Sequence, residues 1–496
     1  MSSVRLERLS FAHSGSPPLL SDVSVHLPAG LTGVVGENGS GKTTLLRLVS
    51  GDLHPTAGRI RVEPAGARAV LCSQRVDGDP GPDVAALGYR ADGEAHALRG
   101  ILRLDRAALA RWPTLSPGER KRWQVAAALA SSPDVLLLDE PTNHADGEAR
   151  AWIATALARF RGVGLLVSHD RALLDAVTRR TLRLHRGALT LHDQSYGAAR
   201  VTWEAAAARA WEQRAEAQRQ VRKAEDRLAR AREVRDAAER SRSGRGRDPR
   251  DRDARSILAS TKRMWAEDRL GRNVGRLRTA VEQARGEVPA PPPEPDLGRS
   301  VFLGFEPPRR PVLLSLEADV VGAGDRPVLR DVRVQLRRGE RVRLEGPNGA
   351  GKTTLLSALL ARSDLPPDRI LFLPQELPSG EGPRLAAGIR AMEPAARGRV
   401  LSAYAALGCD PARLLASREP SPGETRKLRL ALGLGTHAWA LVLDEPTNHL
   451  DLPGVERIER ALASYPGAIL LVSHDDAFAA RCTASSWRID DGCVQV

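Results

Sequence analysis

No uninterrupted apolar run in this chain of 496 residues approaches the ~20 that a membrane-spanning helix requires. The amino terminus, MSSVRLERLSFAHSG, lacks the apolar core of a secretory signal. Cysteine is scarce. Cys72, Cys409, Cys482 and Cys493 are the only four, and none stands in a CxxC spacing, so neither a disulfide framework nor a zinc site is supported and a reduced, cytoplasmic setting is expected. Aromatic residues make up only 4%. Lysine is nearly absent: six of the 74 basic residues are lysine and the other 68 arginine, a bias of the kind GC-rich coding produces. An arginine here therefore means little by its identity and something only by its position.

What the chain does have is length for two or three domains, 42% hydrophobic residues to build their cores, and a net charge of +13 that points to an acidic partner, nucleic acid or an anionic membrane. It also contains one unit twice. GENGSGKTTLL at Gly36–Leu46 recurs as GPNGAGKTTLL at Gly346–Leu356; LLLDEPTNH at Leu136–His144 recurs as LVLDEPTNH at Leu441–His449; LLVSHD ends at Asp170 and again at Asp475. The internal spacing repeats as well, with 24 residues from Ser116 to Glu140 and from Ser421 to Glu445, and 30 from Asp139 to His169 and from Asp444 to His474.

Each motif implies a chemistry. GxxxxGK[ST] between an apolar strand and an amphipathic helix lets backbone N–H groups cradle phosphate oxygens at a helix N-terminus. The ATP-binding candidates are thus Gly36, Asn38, Gly39, Gly41, Lys42, Thr43 and Thr44, and in the second copy Gly346, Asn348, Gly349, Gly351, Lys352, Thr353 and Thr354. The lysines would reach the β- and γ-phosphates, and Thr43 and Thr353 would offer a hydroxyl to Mg²⁺. An apolar strand ending in Asp-Glu sets two carboxylates at the edge of the sheet where α/β ligands bind. Asp139 and Asp444 are expected to hold Mg²⁺, and Glu140 and Glu445 to act as general bases on the attacking water. His169 and His474 follow further apolar strands and are expected to sense the γ-phosphate; Gln74 and Gln375 could reach both the metal and the water.

TLSPGERKRWQVAAALASSPDVLLLDEPTNH, and EPSPGETRKLRLALGLGTHAWALVLDEPTNH in the second copy, resemble the signature helix and following strand of ATP-binding-cassette proteins. The resemblance implies an α/β fold with two tandem ATP-binding-cassette P-loop NTPase domains. It also implies that the signature residues bind ATP held by the other domain: Ser421 and Gly423 would complete the site of Lys42, and Ser116 and Gly118 that of Lys352. ATP would close the cassettes within one monomer, and hydrolysis would open them. Departures suggest unequal sites: Pro420 replaces the usual leucine, His144-Ala145-Asp146 faces His449-Leu450-Asp451, and an adenine-stacking ring is available at Phe11 or His13 but not in VVGAGDRPVL.

Between the copies, Arg200 to Arg285 carries 24 Lys/Arg against 14 Asp/Glu, a balance of +10. Ala198–Arg240 has no Gly or Pro, and Val221, Ala224, Leu228 and Ala231 step by three and four, as do Leu270, Val274, Leu277 and Val281. Gly271 and Gly275 weaken the second run. SRSGRGRDPRDRDAR lies between them. The reading is an antiparallel helical hairpin with a basic tip, projecting on the order of 60 Å. The expected boundaries are 1–197 for the first cassette, 198–290 for the hairpin linker, 291–312 for a Pro-rich extended connector and 313–496 for the second cassette.

Two cassettes joined by a basic hairpin, with DEPTNH in both, resemble the ABC-F translation factors, and the likeness spans nearly the whole chain. It implies a ribosome partner, with the hairpin entering the E site toward the P-site tRNA and the peptidyl-transferase centre, and Arg242, Arg245, Arg247, Arg250, Arg252 and Arg255 against rRNA or tRNA phosphates. The 74 residues from Lys42 to Ser116 leave little room for the extra arm of some housekeeping members, which favours the antibiotic-resistance branch. The ATPase subunit of a drug exporter and a housekeeping translation regulator are the alternatives, and a DNA-repair ATPase is a more distant one.

Overall fold

A computed structural model describes every residue except 1, 14–17, 75, 77–78, 144, 146, 186, 241–255, 291–301, 303, 325, 348, 417–418 and 449. The expectations placed on Asn348 and on the six arginines from 242 to 255 fall outside the described residues. Met1–Arg200 and Leu297–Val496 together form one unit, and Val201–Asp296 a second.

In the first half of the larger unit the strands are β1 (Ser3–Phe11), β2 (Leu20–Pro28), β3 (Gly30–Gly36), β4 (Ala57–Glu63), β5 (Ala69–Cys72), β6 (Val135–Asp139), β7 (Val163–Val167), β8 (Arg180–His185) and β9 (Ala188–His192). The helices are α1 (Lys42–Ser50), α2 (Gly81–Tyr89), α3 (Gly93–Ile101), α4 (Pro117–Ala130), α5 (Gly147–Leu157) and α6 (Arg171–Val177). VLLLD of β6 and VGLLV of β7 are buried at every residue. That is the pattern of parallel strands covered on both faces, apolar up to the Asp139 that ends β6. The main sheet runs β5-β6-β7-β3-β8-β9, parallel but for β9, while β2-β1-β4 forms a separate antiparallel sheet. Val4, Leu6 and Leu9 of β1 share one core with Leu45 and Leu46 of α1 and Leu137 of β6, so the small sheet and the large one clamp α1.

Helix α7 (Tyr196–Arg240) and helix α8 (Ser256–Gly286) lie between the halves. The second half then holds β10 (Val312–Ala323), β11 (Arg326–Arg337), β12 (Arg341–Glu345), α9 (Lys352–Ala361), β13 (Ile370–Leu373), α10 (Glu381–Arg390), α11 (Pro394–Ala406), α12 (Pro411–Ala416), α13 (Pro422–Gly435), β14 (Ala440–Asp444), α14 (Leu452–Ser464), β15 (Ala468–Val472), α15 (Asp476–Cys482), β16 (Ser485–Asp490) and β17 (Cys493–Gln495). Its sheet order β13-β14-β15-β12-β16-β17 reproduces that of the first half strand for strand, then continues into β11 and β10. The sequence repeat is therefore a repeat of topology, two tandem α/β cassettes.

In the smaller unit the expected heptad stripe is real. Leu228 and Val281 are buried, Val221, Ala224, Ala231, Leu270, Val274 and Leu277 are half-buried, and the residues between them are mostly exposed. Arg285 pairs with Glu225 at 2.5 Å and Arg214 donates to the Pro289 carbonyl, so α8 returns antiparallel to α7. Gly271 and Gly275 do not break α8, which is continuous to Gly286. A glycine costs a helix only about 1 kcal/mol, less than pairing with α7 returns. At ~1.5 Å per residue the 45 residues of α7 span about 68 Å.

Candidate active site

Parallel strands all deliver their C-terminal ends to one edge of the sheet, and there the loops after β3, β5, β6 and β7 converge. The phosphate loop needs glycine for two separate reasons. A Cβ on Gly36 would meet the Leu184 carbonyl oxygen of β8 at 2.4 Å, and Gly41 takes φ 103°, a left-handed conformation, immediately before α1. Gly351 does the same before α9, with φ 101°. Neither helix start carries a side-chain cap, so its N–H groups are available to an anion. Lys42 Nζ folds back onto the carbonyls of Gly36 and Glu37 at 2.9 and 3.0 Å; Lys352 does so onto Gly346 and Pro347 at 2.7 and 3.0 Å. Burial holds both ammonium groups below the usual lysine range.

Thr43 Oγ1 donates to Asp139 Oδ2 at 2.7 Å, and Thr353 Oγ1 to Asp444 Oδ2 at 2.9 Å. The second residue of each helix thereby meets the strand two places away. Glu140 and Glu445 follow with φ 51° and 48°, a strained backbone that turns the chain at the strand end. The turn is held by Glu140 N–H on Val167 and Glu445 N–H on Val472, 2.9 Å each. Both glutamates are buried, and burial pushes both carboxyls up to about 7. That is the range in which a carboxylate is basic enough to take a proton near neutral pH.

Each glutamate is also held by the histidine loop. His169 N–H donates to Glu140 Oε2 at 3.2 Å and His474 N–H to Glu445 Oε2 at 3.4 Å. The second oxygen of each carboxylate, Oε1, is buried without a hydrogen-bond partner, with the imidazole Nε2 3.3 Å away in the first site and 3.6 Å in the second. Burial, reinforced by Lys42, lowers His169 to about 4, so the ring is neutral. Its Nδ1 accepts the Leu452 N–H at 3.2 Å, which puts the single ring proton on Nε2, facing Glu140.

Two buried cations escaped the sequence analysis. Lys121 Nζ donates to the carbonyls of Ser73, Gln74 and Asp139, and Arg426 to those of Gln375 and Glu445. Each ties the glutamine strand end to the carboxylate strand end. The signal was present: both stand five residues after the signature serine. Ser116 and Ser421 themselves close capping boxes with Glu119 and Glu424 on α4 and α13. Gly118 is buried in α4, and Gly423 half-buried in α13.

Around Lys352 a cleft of about 550 Å³ gathers Thr353, Gln375, Asp444, Glu445 and His474, with Arg326 and Val328 at one wall. Ser116 and Gly118 do not line it. In the first site the expected adenine-stacking ring needs correcting: Phe11 is a core residue, 7% exposed and edge-on to His13 at 4.9 Å, so only His13 of the pair shows a ring to solvent. The first site also receives the second cassette. Asp451 Oδ2 accepts the Asn38 N–H at 2.6 Å, and Arg457 pairs with Glu37 at 2.5 Å.

Among the described residues no helix is long and apolar enough to cross a membrane. The sequence profile described as ABC transporter matches residues 20–143 and 329–448. The tylosin resistance ATP-binding protein TlrC of Streptomyces fradiae is 31% identical over 543 aligned residues, covering 96% of this chain and 95% of TlrC. The ribosome protection protein VmlR of Bacillus subtilis strain 168 is 29% identical, over 94% of this chain and 82% of VmlR. Among solved structures, the archaeal ribosome recycling factor aABCE1, in complex with the stalk protein aP1, shares the fold at a TM-score of 0.58 and 19% identity, over 98% of this chain and 89% of that one. With two cassette matches and a 31% identity to TlrC along nearly its whole length, the chain belongs to the ABC-F family of tandem ATP-binding-cassette ATPases.

Proposed function

We propose that this protein is a cytoplasmic, ATP-gated ribosome-binding factor whose basic helical segment enters near the E site, beside the P-site tRNA, and protects the ribosome from peptidyl-transferase or exit-tunnel antibiotics. The observation that carries the reading is the segment between the cassettes. It holds +10 of the chain's +13 charge, and the similarity to a tylosin resistance protein and to a ribosome protection protein extends across it. A basic rod suits phosphate-rich RNA, and its six tip arginines, Arg242, Arg245, Arg247, Arg250, Arg252 and Arg255, would bind by charge and shape.

In each site the lysine and the loop N–H groups of Gly39 and Gly41, or Gly349 and Gly351, bind the β- and γ-phosphates of ATP. Glu140 or Glu445 accepts a proton from the attacking water as its oxygen bonds to the γ-phosphorus and the bond to the β–γ bridging oxygen breaks. The unpartnered Oε1 is the atom placed to take that proton. His169 and His474 donate through Nε2 to the γ-phosphoryl oxygens. Ser421 and Gly423, and Ser116 and Gly118, contribute N–H and hydroxyl groups from the opposite cassette. The Thr43–Asp139 and Thr353–Asp444 pairs fit Mg²⁺, since each presents hard oxygen donors at the strand edge, and Gln375 lines the same cleft as Thr353 and Asp444. When bound there, the ion supplies positive charge against the phosphates.

The test is ATP-dependent co-sedimentation of the Glu140→Gln/Glu445→Gln variant with bacterial ribosomes. Pelleting that requires ATP supports the reading and leads to susceptibility tests with macrolides, lincosamides and streptogramins. A variant that binds ATP but never pellets with ribosomes refutes it.

A further inference from the structure

A line of polar contacts leads from the first ATP site, along α14, to the first turns of α7. α14 is capped by Asp451, whose Oδ1 accepts Gly454 N–H at 2.8 Å while its Oδ2 holds Asn38 N–H of the first phosphate loop. The next N–H, of Leu452, is on His169 Nδ1, and Arg457 is on Glu37. Three groups of the first ATP site's neighbourhood, the Asn38 N–H, the His169 ring and the Glu37 carboxylate, are thus read by one helix of the other cassette.

The same helix grips α7. Arg200 pairs with Glu456 at 3.2 Å and with Glu459 at 3.1 Å, and Tyr196 donates its hydroxyl to Glu456. Arg171, two residues beyond His169, joins the cluster on Glu459 at 2.5 Å, and Arg481 closes it at 2.7 Å. The side chains of Glu459, Arg200 and Arg171 are only 3, 6 and 7% exposed. Ions so buried are stable only while paired, so the cluster cannot slip to water when its neighbours move. Burial alone would raise the Glu459 carboxyl, but Arg171 and Arg200 outweigh it and hold the group ionised.

The second ATP site lacks the charged members of this line in its sequence. Counting from the Asp-Glu box, the positions matching Glu456, Arg457 and Glu459 are Ala151, Trp152 and Ala154, and Pro347 stands where Glu37 does. Asp476 replaces Arg171 and pairs within its own cassette, with Arg343 at 2.6 Å.

We propose that α14 is a one-sided coupling helix: Asp451, Leu452 and Arg457 register ATP in the first site, and Glu456 and Glu459 carry that state to Tyr196 and Arg200, the positioning residues at the root of α7. ATP in the second site does not reach the root by an equivalent path. The proposal rests on ATP binding by both cassettes and is independent of the ribosome reading.

Hydrogen–deuterium exchange of the full-length chain, read on peptides covering residues 194–203, tests it. In Glu140→Gln/Lys352→Ala only the first site retains ATP; in Lys42→Ala/Glu445→Gln only the second does. Binding of a fluorescent ATP analogue is measured alongside, so a failure of ATP binding is seen as such. ATP should slow exchange at the root by about tenfold in the first background, the effect of one charge-assisted bond held or lost, and leave it unchanged in the second. Adding Arg200→Ala to the first background should remove the ATP dependence without removing ATP binding, and Arg200→Lys should restore part of it. Equal slowing from either site, or full slowing with Arg200→Ala, overturns the proposal. The comparison of the two backgrounds holds even if Arg200→Ala fails to fold.

Discussion

Replacing Glu140 by glutamine should stabilise the nucleotide-free protein more at pH 8 than at pH 5. The carboxyl ionises near 4.5 when unfolded but, because burial disfavours its charge, only at about 7 in the fold. Between those values the unfolded state binds fewer protons than the folded state, so stability falls as pH rises. The loss is absent well below 4.5 and complete above about 7. At about 1.4 kcal/mol per pH unit it totals about 3.4 kcal/mol, of which about 2.5 kcal/mol accrues between pH 5 and pH 8. A glutamine has no proton to lose. Its amide needs partners that the buried Oε1 position does not offer, a cost of about 1–3 kcal/mol, but that cost does not vary with pH. The difference between variant and parent therefore isolates the ionisation term. Urea unfolding of both proteins at pH 5, 6, 7 and 8 should show the variant gaining about 2.5 kcal/mol relative to the parent across the series. Glu445→Gln should do the same for its own cassette, moving a separate transition if the two cassettes unfold separately. A gap that stays flat or narrows with rising pH would refute the reasoning, and with it the claim that these carboxyls are poised as bases.

The same titration sets catalysis: kcat/KM for ATP should fall about tenfold per unit of pH below about 7, as the bases become protonated, which a steady-state phosphate-release assay over pH 5.5–8.5 checks. Lys121→Met or Arg426→Met should destabilise by about 2–4 kcal/mol in urea unfolding, because each strands buried carbonyl oxygens at two strand ends. Thr43→Val combined with Thr353→Val should raise the Mg²⁺ concentration needed for half-maximal turnover by about tenfold or more, measured at saturating ATP. Ribosome pelleting by the doubly trapped variant should weaken steeply with KCl, and each arginine of the 242–255 segment changed to alanine should flatten that log–log slope by about 1 if it meets a phosphate.

The architecture and most of the site were legible in the sequence for a local reason. A phosphate loop needs glycines and a lysine at fixed offsets on a strand–helix turn, and the Asp-Glu and Ser-His ends of buried strands are short strings whose chemistry is carried by adjacent residues. Their duplication at identical spacing removed the ambiguity of any single string. The helices between the cassettes were legible because a heptad stripe is a local periodicity, and Gly271 and Gly275 proved too weak a signal against pairing with α7.

What the sequence by itself determined was thus the inventory: two ATP sites, their acids, bases and cations, and a basic helical segment between them. Tertiary structure decided which of these groups share an environment. The Thr43–Asp139 bond exists because the sheet order brings the β6 end near the start of α1, across 96 residues of chain. Burial, set by that packing, moves Glu140 and Glu445 to about 7, and the Leu452 N–H of the other cassette fixes the His169 tautomer. Phe11 looked like a nucleotide ring and became core because the register shift after Leu6 turns Leu9 and Phe11 onto the face that packs with α1. Arg457, Glu459 and Arg200 were lost among 68 arginines and ordinary glutamates, since pairing across 259 to 420 residues leaves no periodicity to read. Only the docking of α14 on the first cassette, where desolvation makes each charge demand a partner, distinguishes them from the rest.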